Sequence, residues 1–147
     1  MLFPEEFVRR MTEEHIAFVK RTGLKAEILE RGHVRLRMPL KGNENHLGTM
    51  YAAALFTLAE IPGGVLRLTC FESHNFYPIV KEAGLRFRRP ATSDVWVDAR
   101  LGDAEIERIA EEATLNGKAE YVLDLQLKDD QGEVVAESHA VYQLRSR

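Results

Sequence analysis

Cysteine is nearly missing from this chain of 147 residues, where Cys70 is the only one. That excludes an intramolecular disulfide and any cysteine-rich zinc site, and it fits a reducing compartment, with the cytoplasm as the expected location. Cys70 itself lies in "LRLTCFES", where nothing beside it stabilises a thiolate, so it reads as a small buried residue. A basic excess is lacking too, and a net charge of −3 gives no reason to expect nucleic acid or an anionic membrane as partner. The N-terminal "MLFPEEFVRRMTEEH" has acids from Glu5 onward and lacks the apolar run of a signal peptide. No glycine-rich phosphate fingerprint is present, since Pro62-Gly63-Gly64 follows a helical pattern rather than a strand. His15, His33 and His139 lie in separate elements without metal-ligand spacing, so no metal site and no bound cofactor are expected.

Charge is missing from one stretch above all. Between Glu44 and Arg67 the only Asp, Glu, Lys or Arg is Glu60, which closes "NHLGTMYAAALFTLAE". Gly, Thr, Asn and His interrupt this run, so it is a poor membrane span. A lone carboxylate there either meets water at a helix break, pairs with Arg67 or Arg86, or is held in a protected place for chemistry.

What is present is ordinary globular composition, 45% hydrophobic and 29% charged, at the size of one domain spanning 1–147. Pro4-Glu5-Glu6 starts a short amphipathic helix that carries Phe7, Met11, Ile16, Phe18 and Val19 and ends at Gly23. From Lys25 the period becomes two: "KAEILERG" and "HVRLRMPL" predict a hairpin about Gly32, with Val34, Leu36, Met38 and Leu40 on one face. The Ala- and Leu-rich segment from Gly48 predicts a long helix that Pro62 ends or kinks. "GLRFRRP" and "VWVDARL" predict a second hairpin across "PATSD". "GDAEIERIAEEATLNG" predicts a helix with Asp103 as N-cap and Gly117 after its end. "YVLDLQL" and "EVVAESHAVYQLR" predict a last hairpin across "KDDQG". A central helix apolar on most sides requires burial around most of its circumference, which a curved antiparallel sheet supplies.

In this order and in its motifs the chain resembles the hot-dog fold acyl-CoA thioesterases, the phenylacetate-degradation and 4-hydroxybenzoyl-CoA thioesterase types and the thioesterase families related to them. Asn45, Gly48, Thr49 and the Leu58-Ala59-Glu60 triplet carry the resemblance, with "LRFRRPA" and "DDQGEVVAES" echoing later strands. It implies an α+β hot-dog fold, a curved antiparallel sheet wrapped around a long central helix. It further implies a thioester hydrolase assembled as a dimer or dimer of dimers, its site between subunits, and CoA only as part of the substrate. Glu60 stands at the family's catalytic acid, as general base or nucleophile, and Asn45 at a polar residue near the thioester. Tyr51-Ala52-Ala53 replaces the His-Gly-Gly of many members, adding methyl groups where glycine lets the backbone approach the thioester oxygen.

Elementary chemistry is consistent with these roles. A helical period puts Thr49, Ala53, Phe56 and Glu60 on one stripe, where small residues leave a groove towards the acid. Hydrolysis of an acyl thioester needs a base and donors facing the developing oxyanion, for which the Ala53 N–H and its neighbours at the helix start are candidates. Arg88 and Arg89 are candidates for CoA phosphates, or else solvated strand-face cations. His46, fourteen residues before Glu60, admits a hot-dog dehydratase using His46 with Glu60, or a loop histidine that merely packs. A non-catalytic acyl or acyl-CoA binding protein is the further alternative. His74 and Asn75 could line a cleft or satisfy a turn.

Overall fold

The computed structural model describes residues 1–71 and 75–147, so His74 lies outside the described residues. The elements run α1 (Glu5–Glu13), α2 (Ala17–Thr22), β1 (Lys25–Glu30), β2 (His33–Met38), α3 (Ala52–Cys70), β3 (Phe76–Phe87), β4 (Val95–Arg100), α4 (Asp103–Asn116), β5 (Lys118–Lys128) and β6 (Val134–Ser146). All strand pairs are antiparallel, in one six-stranded sheet of order β1-β2-β4-β5-β6-β3. This is the hot-dog architecture, with α3 as the central helix.

Alternation decides which side chains face α3. Val34, Leu36 and Met38 of β2, Val95, Val97 and Ala99 of β4, and Tyr121, Leu123, Leu125 and Leu127 of β5 are buried on the inner face. α3 is long and apolar enough to span a membrane, but 72% of its apolar window is buried inside the fold, as befits a core helix. It runs through Pro62 without a break. A Cβ at Gly63 would stand 2.1 Å from Cε1 of Tyr142, so this position must be glycine for β6 to pack so close.

Several local expectations are corrected. The first helix is two, because the Glu14 and His15 N–H groups both turn back to the Arg10 carbonyl and Ile16 is extended. The break brings Val19 and Thr22 to the core and leaves Ile16 and Phe18 half exposed. α3 begins at Ala52 rather than Gly48, whose φ of +80° belongs to the preceding loop. Gly102, not Asp103, is the N-cap of α4. Nor are β3 and β4 a hairpin. β3 pairs with β6 and stands at the sheet edge, while β4 lies between β2 and β5. The N–H groups of Arg88 and Arg89 both bond to the Val135 carbonyl, so the chain stays with β6 as it leaves β3. It then crosses the sheet end, where the buried Ala91 accepts from the Met50 N–H at 2.9 Å and Asp94 Oδ1 accepts from the Leu40 N–H at 2.9 Å.

Candidate active site

The loop before α3 is organised by Asn45. Its Oδ1 accepts from the N–H groups of Leu47 (2.8 Å) and Thr49 (3.2 Å), and its Nδ2 donates to Thr49 Oγ1 at 2.9 Å. Local bonding of this kind holds a turn that a helix would otherwise consume, and it sets where α3 begins. Asn45, His46, Gly48 and Thr49 all belong to this loop, with His46 and Gly48 exposed at its surface. At the helix start Tyr51 gives no side-chain cap, and the Ala54 and Leu55 N–H groups bond to the Tyr51 carbonyl. Among the described residues no acceptor takes the Ala52 and Ala53 N–H groups. They are the orphan donors of a helix N-terminus, where the backbone dipole favours negative charge.

α3 is mostly buried, and beyond its exposed first residue Ala52 and the half-buried Ile61 its accessible residues form a stripe of Ala53, Phe56, Glu60 and Gly64, of which Phe56 is 43% exposed. Ala53 lines a cleft of about 250 Å³ with Phe18, Arg21, Asn43, Glu44 and Tyr51. Glu60 and Phe56 lie further along, in a narrow cleft between α3 and strands β3 and β6, walled by Ala59, Ala83, Gly84, Leu85, Ser138 and Ala140. Every side chain there apart from Glu60 and Ser138 is apolar. Burial pushes the Glu60 carboxyl above its ordinary value, and no cation among the described residues pairs with it. Loss of hydration without a compensating charge disfavours the carboxylate and makes it a stronger base when ionised.

Tyr142 holds the backbone of this acid, its hydroxyl donating to the Glu60 carbonyl oxygen at 2.7 Å, and Tyr121 donates to the Gly63 carbonyl oxygen at 3.0 Å. The two rings stack with centroids 5.2 Å apart. Burial first, and then the neighbouring Glu60 charge, raises the Tyr142 hydroxyl pKa, so it remains a donor.

Glu60 and Phe56 line one cleft, as expected, whereas Ala53 lies two helical turns away and the Asn45 loop lines neither wall of that cleft. His46 does not line the Glu60 cleft. Arg88 and Arg89 are exposed at the end of β3 and paired, Arg88 with Glu137 at 2.7 Å and Arg89 with Glu133 at 3.3 Å. Ser138 is the polar neighbour that residue patterns leave unmarked. Its signal is an inward-row position between Ala136, Ala140 and Tyr142, legible only once β6 is placed. Although Ser138 adjoins His139, and His139 Nδ1 lies 2.7 Å from Asp124 Oδ1, strand alternation puts that pair on the outer face, away from the hydroxyl.

A wider concavity, about 820 Å³, lies on the outer face, lined by Arg86, Trp96, Asp98, Asp124, Lys128 and His139 among others. Burial pushes Asp98 up, but hydrogen bonds from Arg35 and His33 outweigh it and hold the carboxyl below its ordinary value. Such an acid is a poor base.

The family model described as domain of unknown function DUF4442 matches residues 5–144. A solved protein of unknown function from Pseudomonas aeruginosa, described as a probable thioesterase, is 65% identical, with a TM-score of 0.96 over 100% of this chain and 99% of that one. A thioesterase from Haemophilus influenzae is 14% identical with a TM-score of 0.77, covering 99% of this chain and 93% of that one. A second P. aeruginosa thioesterase, solved as a mutant, is 17% identical with a TM-score of 0.78, covering 100% and 97%. These last two likenesses concern the fold alone. No curated protein matches the chain.

Proposed function

The chain belongs to the DUF4442 family, and from that premise and the Glu60 cleft we propose that it hydrolyses acyl thioesters, those of CoA or a related carrier, with Glu60 as general base. The observation that carries this is a carboxylate desolvated on a core helix, free of any cation among the described residues, in a cleft whose only other polar side chain among those residues is Ser138. Glu60 removes a proton from water, the resulting hydroxide adds to the thioester carbonyl, and collapse of the tetrahedral intermediate expels the thiolate, which takes the proton back. The Ala52 and Ala53 N–H groups receive the oxyanion. The probable thioesterase at 65% identity supports the same reaction class. The cytoplasm is the location that the lone, buried Cys70 fits.

One copy of the chain does not supply the whole site in this scheme. Glu60 lies seven residue steps beyond Ala53 along the helix, about 10 Å of rise, too far for one carbonyl group to meet both. The Glu60 cleft is also too narrow for an acyl chain. A second copy resolves both difficulties if its helix start approaches Glu60 along β3. β3 stands at the sheet edge, pairs only with β6 among the described residues, and exposes Ile79 (40%), Val80 (45%) and Phe87 (54%) beside the charged Lys81, Glu82 and Arg86. Pairing across it, as a dimer or dimer of dimers, would form the acyl pocket between subunits, near Phe56. Arg88 and Arg89, at the exit of β3, then serve CoA phosphates by exchanging their glutamate partners.

A panel of short, medium and aromatic acyl-CoAs, followed by free-thiol release beside ligand-induced thermal shift, tests the proposal. Thiol release supports it. Thermal shifts without release would favour the non-catalytic binding protein instead.

A further inference from the structure

Ser138 projects from β6 into the Glu60 cleft. It is 7% exposed, and its Oγ has no hydrogen-bond partner among the described residues. A buried hydroxyl without a partner is costly, and the next inward positions of the same strand, Ala136 and Ala140, show that alanine fits this row. Something in the cleft must therefore satisfy it. No direct bond joins Ser138 to Glu60, and the space in the cleft is about 10 Å³, room for the centre of a single water molecule.

We propose that Ser138 is a positioning residue that, with Glu60, holds the nucleophilic water of thioester hydrolysis. The inference rests on the hydrolase reading above. The water gives one hydrogen to the Glu60 carboxylate and the other to Ser138 Oγ, which leaves an oxygen lone pair for the carbonyl carbon. On attack the first proton passes to Glu60 and the new bond forms from oxygen to carbon. Ser138 neither loses nor gains a proton in the step. Its part is to remove one rotational freedom of the water, which chemistry in an apolar cleft otherwise leaves loose.

Ser138→Ala keeps the fold and removes the anchor, and Ser138→Val also fills the water space. With an acyl-CoA that the parent turns over, kcat is expected to fall about tenfold to a hundredfold in Ser138→Ala, with KM and melting temperature held or the latter raised. Ser138→Val should fall further, while Ser138→Thr, which restores a hydroxyl, should recover part of the rate. A high-resolution structure of the parent should show a water between Glu60 and Ser138 that Ser138→Val lacks. Unchanged kcat in an active background overturns the role of Ser138 alone, as does a loss of rate that tracks a loss of melting temperature. A parent inactive on every thioester removes the hydrolase assignment and this role with it.

Discussion

The Tyr142 hydroxyl donates to the carbonyl oxygen of Glu60 at 2.7 Å, tying the last strand of the sheet to the backbone of the one acid on the core helix. Pro62, two residues on, has no N–H to give the Leu58 carbonyl, so α3 is weakest in its own ladder next to Glu60. Tyr142 and Tyr121 grip the helix there, on the carbonyls of Glu60 and Gly63. The two tyrosines thus fix the backbone that carries the carboxylate, through carbonyl oxygens and not through the carboxylate itself.

Gly63 and Gly64 separate this packing role from simple helix propensity. In Gly63→Ala the new methyl meets the Tyr142 ring at 2.1 to 2.6 Å, whereas a methyl at Gly64 meets nothing within 4 Å. Chemical denaturation should show Gly63→Ala destabilised by about 3 kcal/mol or more. Gly64→Ala should be neutral or gain up to about 1 kcal/mol.

Glu60 imposes a pH dependence on stability. Its folded pKa lies above the ordinary 4.5, which the unfolded chain retains, so the folded state binds the proton more tightly. Its unfavourable contribution is therefore absent below the unfolded pKa, grows as pH rises towards the folded pKa, and levels off beyond it. Glu60→Gln has no proton to lose. Melting temperatures measured from about pH 4 to about pH 8 should show the variant gaining on the parent across that window.

The β3 edge should govern assembly. Val80→Lys or Ile79→Lys places an ammonium on an edge that the proposed pairing buries, and light scattering should then report a smaller species than the parent. Thiol release should fall in parallel, since the scheme takes oxyanion donors from the second copy. A parent that is monomeric at working concentration would contradict the shared site.

Arg88→Ala and Arg89→Ala should raise KM for an acyl-CoA by about threefold to tenfold, an effect that salt diminishes, because exposed charge pairs are screened. The same variants should leave KM unchanged for an acyl-pantetheine, which has no nucleotide phosphates.

Much of this was legible in the residues. Strict alternation in Val34-Leu36-Met38 and Tyr121-Leu123-Leu125-Leu127 fixes the inner faces, and the isolation of Glu60 in an apolar run marks the acid. Alternation encodes a face but not a neighbour, however. "GLRFRRP" and "VWVDARL" both alternate, yet β3 pairs with β6 and β4 with β2 and β5. That misplacement hides Ala83, Leu85, Ser138 and Ala140, the residues that enclose Glu60. It also hides Glu133 and Glu137, which reach Arg89 and Arg88 from the β5–β6 turn and β6. The start of α3 escapes for a different reason: the Asn45 side chain stabilises a loop that helix propensity alone does not foresee.

The most direct test of the central claim is thiol release by Glu60→Gln beside the parent on an acyl-CoA that the parent cleaves, with folding checked by thermal unfolding. The account predicts a folded variant whose kcat is lower by about a hundredfold or more, in keeping with loss of a general base. Equal turnover by parent and variant would contradict it.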